Sequence, residues 1–206
     1  MRGHPDPYAH IDQEWLLRSL AKVRPTPSRR PRYSNLGVGL LGDALAACAG
    51  TSYDALVRDR VTGPLGMSAT GCVPREEVPG HRRGGRPLGT VWHVDALAGA
   101  GALWSTVRDL QAFALAQLDP PPGRLGDAVR LIQVPRVPGR RMDQCLGWFR
   151  LHGSGGVLWW HSGGTAGYRS FLGVGASPPT SVVVLNASNR SVADLGIRLL
   201  GAVGSQ

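Results

Sequence analysis

Arg32-Tyr33-Ser34-Asn35-Leu36-Gly37 stands where a Pro- and Arg-rich run gives way to a long apolar stretch. Ser34 or Asn35 has the chemistry of a helix N-cap, since a short polar side chain there accepts a hydrogen bond from a free backbone N–H of the first turn. The run from Leu36 to Ala49 that follows reads as a helix, closed by Gly50, the residue that most easily adopts the left-handed C-terminal conformation. Gly37, Gly39 and Gly42 lower its helix propensity, which points to close packing as their purpose. A phenol and a carboxamide two residues apart, at the mouth of a rigid helix, can also reach into a cleft, so Tyr33 and Asn35 are candidate catalytic groups.

Working outward, Asp12 to Val23 has apolar residues at helical spacing (Trp15, Leu16, Leu20, Val23) and ends before Pro25. Thr51-Ser52-Tyr53-Asp54 has the form of a capping box opening a second helix to about Val61, and Gly63-Pro64 ends it. Cys72 to Val94 is rich in Gly, Pro and Arg, shows no period and reads as an irregular connection, mobile in part. Thr106 and Asp109 again have capping-box spacing, ahead of a helix to Leu118 with Val107, Leu110, Ala114 and Leu118 inward; a shorter helix covers Arg124 to Gln133. From Cys145 the pattern becomes that of strands: Cys145 to Leu151, Val157 to His161, Tyr168 to Val174 and Ser181 to Leu185, with turns at 152–156 and Ser177-Pro178-Pro179. Ser191 to Val203 closes the chain as an amphipathic helix. The expected fold class is α+β: a single domain over 1–206, mainly helical over 12–144, then an antiparallel meander of three to four strands with a C-terminal helix over 145–206.

Composition narrows the function. The 206 residues carry a net charge of +9, yet Lys22 is the only lysine among 23 basic residues. The densest basic runs, Arg29-Arg30-Pro31-Arg32, His81 to Arg86 and Arg136 with Arg140-Arg141, fall in Gly/Pro-rich connections. They would attract polyanions without selecting among them, and no nucleic-acid-binding motif accompanies them, so no specific nucleic-acid partner is expected. Cys48, Cys72 and Cys145 form no disulfide framework; Cys48 reads as a small core residue. The six histidines lack metal-ligand spacing, and neither a metal nor a cofactor is expected. No apolar run approaches the about 20 residues of a membrane span, and Met1 to Pro7 has no signal-peptide core, which as written implies the cytoplasm.

Four stretches then fall into one order: Tyr33-Ser34-Asn35-Leu36-Gly37; Pro64-Leu65-Gly66-Met67; Gly101-Ala102-Leu103-Trp104-Ser105-Thr106 with Asp109; and His161-Ser162-Gly163-Gly164-Thr165. From about Gln13 onward the chain resembles the beta-lactamase-related serine hydrolases, which include class C beta-lactamases, D-alanyl-D-alanine carboxypeptidases and related esterases. The resemblance implies part of the serine beta-lactamase/penicillin-binding fold and acyl transfer through a serine, with a small or peptide-like acyl substrate. By motif position Tyr33 would handle the proton and Asn35 would orient its neighbours. His161, Ser162 and Gly163 would form the substrate-binding strand, and the Gly164 N–H would be an oxyanion donor. His161 departs from the lysine usual in that strand, as in the esterase-like relatives.

The family's nucleophile, the serine of Ser-x-x-Lys, lies dozens of residues ahead of the tyrosine, at the start of a buried helix. Here Ser19-Leu20-Ala21-Lys22 matches as text but lies near the end of its helix, where the dipole disfavours an oxyanion. It reads as a chance match. A free phenol titrates near pKa 10, so about one in a thousand is ionised at pH 7, and Tyr33 without serine and lysine has nothing to deprotonate and nothing to activate it. The chain is therefore expected to be an N-terminally incomplete hydrolase, inactive as it stands. The alternatives are a non-catalytic binding relic or an Arg-rich polyanion binder. Absence of the family's first strands and central helix would leave apolar surface and a sheet edge exposed.

Overall fold

A computed structural model describes residues 6–24, 32–74, 78–89, 91–153 and 156–203. Its helices are α1 (Gln13–Leu20), α2 (Asn35–Ala49), α3 (Tyr53–Val57), α4 (Val107–Leu118), α5 (Arg124–Ile132) and α6 (Ala193–Val203). The strands β1 (Met142–Gln144), β2 (Phe149–Gly153), β3 (Gly156–Thr165), β4 (Tyr168–Ala176) and β5 (Pro179–Asn186) form one antiparallel sheet in sequence order. The α+β arrangement holds, with five strands where three to four were expected. The added one, Met142–Gln144, is three residues long and is defined by its pairing with Phe149–Leu151, not by any alternation of its own.

The caps follow the expected chemistry. Ser34 Oγ accepts from the Gly37 N–H at 3.0 Å, and Gly50 closes α2 at φ 63°. Ahead of α3 the cap is Ser52, which accepts from the Ala55 N–H, while Asp54 turns outward to the Cys72 N–H and Arg58. α3 continues as a π turn over Arg58–Thr62 before the Gly63-Pro64 break. Thr106 caps α4 through the Asp109 N–H, but the Asp109 carboxylate is buried and accepts from the Ala69 N–H and Thr70 hydroxyl, so it ties the 68–70 turn to α4. Val107, expected inward, is exposed, and that inward place in the first turn is taken by Asp109.

Helices cover both faces of the sheet. Opposed residues of an antiparallel pair lie on one face and alternate along each strand. Phe171 and Gly173 face α6: a Cβ on Gly196 would lie 2.2 Å from the Phe171 ring, and one on Gly173 would lie 2.8 Å from Leu200. Val174 and its partner Ser181 face α4, where Gln111 donates to the Ser181 hydroxyl at 2.7 Å.

α2 is packed inside out. Only Gly39, Gly42 and Ala46 are buried. The two glycines lie on the 3-10 turn Asp95–Ala100, where a Cβ on Gly42 would sit 2.9 Å from the Gly99 Cα and one on Gly39 would sit 2.9 Å from the Leu97 Cβ. Gly37 has no such contact. The apolar side chains of α2 point the other way: Leu36, Val38, Leu41 and Leu45 are all exposed. Cys48 is exposed as well, which corrects its reading as a core residue. Beyond Asn35, Asp43 is the one charged side chain of the helix, so the pattern alone left open which stripe would meet the rest of the fold.

The 78–89 connection, irregular as expected, is anchored at several points. His81 N–H donates to Ala187 O, Asn189 N–H donates to His81 O, and the Tyr168 hydroxyl donates to Val78 O. Its partners are distant in sequence and left no local signal. Part of the first basic run, residues 29–31, lies outside the described residues.

Candidate active site

The site grows from a difference in strand length. β2 pairs with β3 only from Gly156 to Trp160, while β4 pairs with β3 out to Thr165. Thr165 and Tyr168 close a two-residue loop, Ala166-Gly167, with Gly167 at φ 76°. The closing pair of such a hairpin exchanges both backbone hydrogen bonds, and bonded pairs alternate along the ladder. Thr165, Gly163 and His161 therefore bond to β4, and the N–H groups of Gly164 and Ser162 point to the side where β2 has ended. Among the described residues, no strand pairs with that edge of β3 beyond Trp160.

Tyr33 and Phe149 meet His161 from opposite ends of the chain. The Tyr33 ring stacks on the imidazole at a centroid distance of 6.4 Å and 30° between planes. Phe149, the first residue of β2, lies at 5.6 Å and 8° on the same ring. The structure thus brings together Tyr33, His161 and the strand bearing Ser162, Gly163 and Gly164. Burial holds the imidazole below its ordinary pKa, and a backbone hydrogen bond at Ser162 works the other way. Tyr33 itself is 65% exposed, and Asn35 opens α2 in the next turn of chain.

The hairpin tip is held from behind. Gly167 N–H donates to Asn189 Oδ1 at 3.0 Å, and a Cβ on Gly167 would meet the Gly80 Cα at 2.8 Å. Arg169 lies against Gly164, its Nη1 donating to the Thr165 and Tyr168 carbonyls. A cavity of about 300 Å³ opens here, lined by Ser162, Gly164, Arg169, Ser170 and the residues leading into α6. The supports from Asn189 and Gly80 went unread in the sequence, because neither position carries a local motif.

Ser19 falls in the last turn of α1, and Lys22 lies just beyond the helix. No hydrogen bond or ring contact among the described residues links either to Tyr33, Asn35 or β3. No group of His, Cys, Asp and Glu among the described residues is arranged to hold a metal ion.

The family sequence model described as Beta-lactamase matches residues 2–201. The chain belongs to the beta-lactamase family. It is 33% identical over 106 residues to the D-alanyl-D-alanine-carboxypeptidase/endopeptidase AmpH of Escherichia coli K12, a match covering 50% of this chain and 27% of that protein. The fold is similar to the D-alanine carboxypeptidase AmpC from Burkholderia cenocepacia, with a TM-score of 0.81 at 20% identity over 96% of this chain and 68% of the other. It is also similar to the octameric penicillin-binding protein homologue from Pyrococcus abyssi, with a TM-score of 0.77 at 18% identity over 89% of this chain and 44% of that one. The chain therefore accounts for well under two thirds of the AmpH and Pyrococcus proteins. No helix among the described residues is long and apolar enough to cross a membrane.

Proposed function

We infer that these residues form the proton-handling and oxyanion side of a serine acyl-transfer site acting on amide or ester carbonyls. In this reading the Tyr33 oxygen takes the proton from an attacking serine hydroxyl and returns it to the leaving amine or alcohol, and water later releases the acyl group by the same route. Asn35 orients the groups around the nucleophile. The Gly164 N–H stabilises the oxyanion that forms on the attacked carbonyl, a contribution whose loss typically costs about 10²–10³ in rate.

The observation that carries the reading is the stack of Tyr33 on His161 beside the end of β3 that β2 does not reach. The nucleophile is assigned to none of the described residues. Ser19 sits at the wrong end of α1, where the helix dipole opposes negative charge.

The 206-residue chain is to be treated with a fluorophosphonate probe and with an activated ester, and separately titrated with an N-acyl-D-alanine ligand. Neither labelling nor turnover is expected, while the ligand perturbs Tyr33 and Gly164 resonances saturably. Labelling at Ser19 would overturn the assignment of that serine as a bystander. A ligand that leaves Tyr33 and Gly164 unmoved would overturn the site.

A further inference from the structure

We propose that Asn189 is a positioning residue for the oxyanion donor: its carboxamide, seated by Gly80 and His81, holds the tip of the β3–β4 hairpin and through it the direction of the Gly164 N–H. The role rests on the acyl-site reading above and adds what keeps the donor in place.

This end of β3 needs an outside hold. Beyond Trp160 only β4 pairs with it among the described residues. Gly163 and Gly164 follow one another there, both exposed, and glycine restrains its own backbone least of all residues. An oxyanion donor serves only within about 2.7–3.1 Å of the developing charge, and a hydrogen bond weakens steeply once bent below about 120°. A hairpin free to swing at its tip would lose the donor.

The tip is fixed through the one N–H that its turn does not use. The turn bond of a two-residue loop joins Thr165 and Tyr168 and leaves the Gly167 N–H over. Ala166 and Gly167 are buried, and a buried N–H without an acceptor is costly. Asn189 Oδ1 accepts it at 3.0 Å. Asn189 is anchored in turn: its own N–H donates to His81 O at 2.9 Å, and the His81 N–H is shared between the Ala187 and Gly167 carbonyls at 3.0 and 3.4 Å. Gly80 closes the contact from behind, where a Cβ would lie 2.8 Å from the Tyr168 ring and 3.1 Å from the Gly167 Cα. Segments 80–81, 166–167 and 187–189 therefore lock together close to Gly164. Ser191 to Ala193, just past Asn189, line the cavity that also takes in Gly164, so the same segment shapes the space beside the donor.

The test compares the full wild-type chain with Asn189→Ala and with Asn189→Asp, which keeps an acceptor oxygen. Amide hydrogen exchange at Gly163, Thr165 and Gly167 should quicken about tenfold or more in Asn189→Ala, the size of one hydrogen bond withdrawn from a buried donor, and return to within about threefold of wild type in Asn189→Asp. Val182 and Val184, opposite Gly173 and Phe171, should keep their rates. N-acetyl-D-alanine methyl ester, a neutral probe on which the added charge of aspartate does not bear, should bind Asn189→Ala about tenfold more weakly as read from the Gly164 amide shift, with affinity restored in Asn189→Asp. Unchanged exchange at the tip, equal acceleration on β5, or undiminished affinity in Asn189→Ala would overturn the positioning role. If Asn189→Ala does not fold, the wild-type chain decides: a Gly167 amide that exchanges at least tenfold faster than that of Thr165 would overturn it. A probe that leaves the wild-type Gly164 signal unmoved would refute the acyl-site reading and the donor role with it, whereas the exchange rates judge the lock at the tip separately.

Discussion

Replacing Gly42 with valine should loosen the seat of α2, the helix that carries Tyr33 and Asn35 at its N-terminus. A Cβ built on Gly42 lies 2.9 Å from the Gly99 Cα, 3.0 Å from the Tyr53 ring and 3.1 Å from the Gly99 N. Carbon atoms pack best at about 3.5–4.0 Å, so the two backbones must part by roughly 0.6–1 Å before valine's outer methyls are counted. Two of the three obstructing atoms are backbone and cannot swing aside. Overpacking of this kind costs about 1–3 kcal/mol, against a propensity gain over glycine of only a few tenths. With a urea dependence of about 2 kcal/mol per molar, the unfolding midpoint should fall by about 0.4–1.4 M. Gly37→Ala is the control: its new Cβ meets only Ser34 at 3.4 and 3.5 Å, so the helix gains about 0.5–1 kcal/mol and the midpoint rises. The His161 proton signals, shifted by the Tyr33 ring, should move in Gly42→Val and stay in Gly37→Ala. If Gly42→Val is as stable as the wild-type chain, the glycine contact between α2 and the 95–100 turn is not what seats the helix.

The thiols should separate by environment. Cys48 is exposed, burial raises the Cys145 pKa, and burial with the Asp54 carboxylate pushes the Cys72 thiol up to about 11. At pH 8, Ellman's reagent should titrate one thiol quickly and the others only on unfolding, and fast reaction at Cys72 would contradict the geometry around Asp54. His161, its folded-state pKa depressed by burial, should have an imidazole titration midpoint below the ordinary value of about 6.5. Because the folded chain then binds fewer protons at this site than the unfolded one, the contribution of His161 to stability is complete above about pH 6.5. It is lost as the pH falls through the folded-state value. A midpoint above 6.5 would mean that a charge partner, not burial, governs the ring.

Local chemistry accounts for what the sequence made legible. Ser34, Gly50 and Thr106 announced helix ends because a cap depends on one side chain and the backbone beside it. β3, β4 and β5 were visible because long β-rich runs were separated by turn residues. What stayed hidden depended on partners far along the chain. Met142–Gln144 is a strand only because Phe149–Leu151 pairs with it. The buried Asp6, which accepts from the His93 backbone and ring nitrogens, carried no motif. At the site, residue types pointed to Tyr33 and to the His161–Gly164 strand separately. Their meeting is a tertiary fact, as is the ending of β2 short of Gly164.

The inverted packing of α2 sets how this helix can drift over generations. On its inner side the constraint is subtraction: Gly39 and Gly42 tolerate nothing larger because backbone and side chains of the 95–100 turn already occupy the space. On its outer side, where Leu36, Val38, Leu41 and Leu45 face away from this chain's own core, these 206 residues exert little selection for carbon. Were this chain alone answerable for the helix, polar residues would accumulate there at no cost. The outer side of α2 is thus the side on which this chain tolerates change.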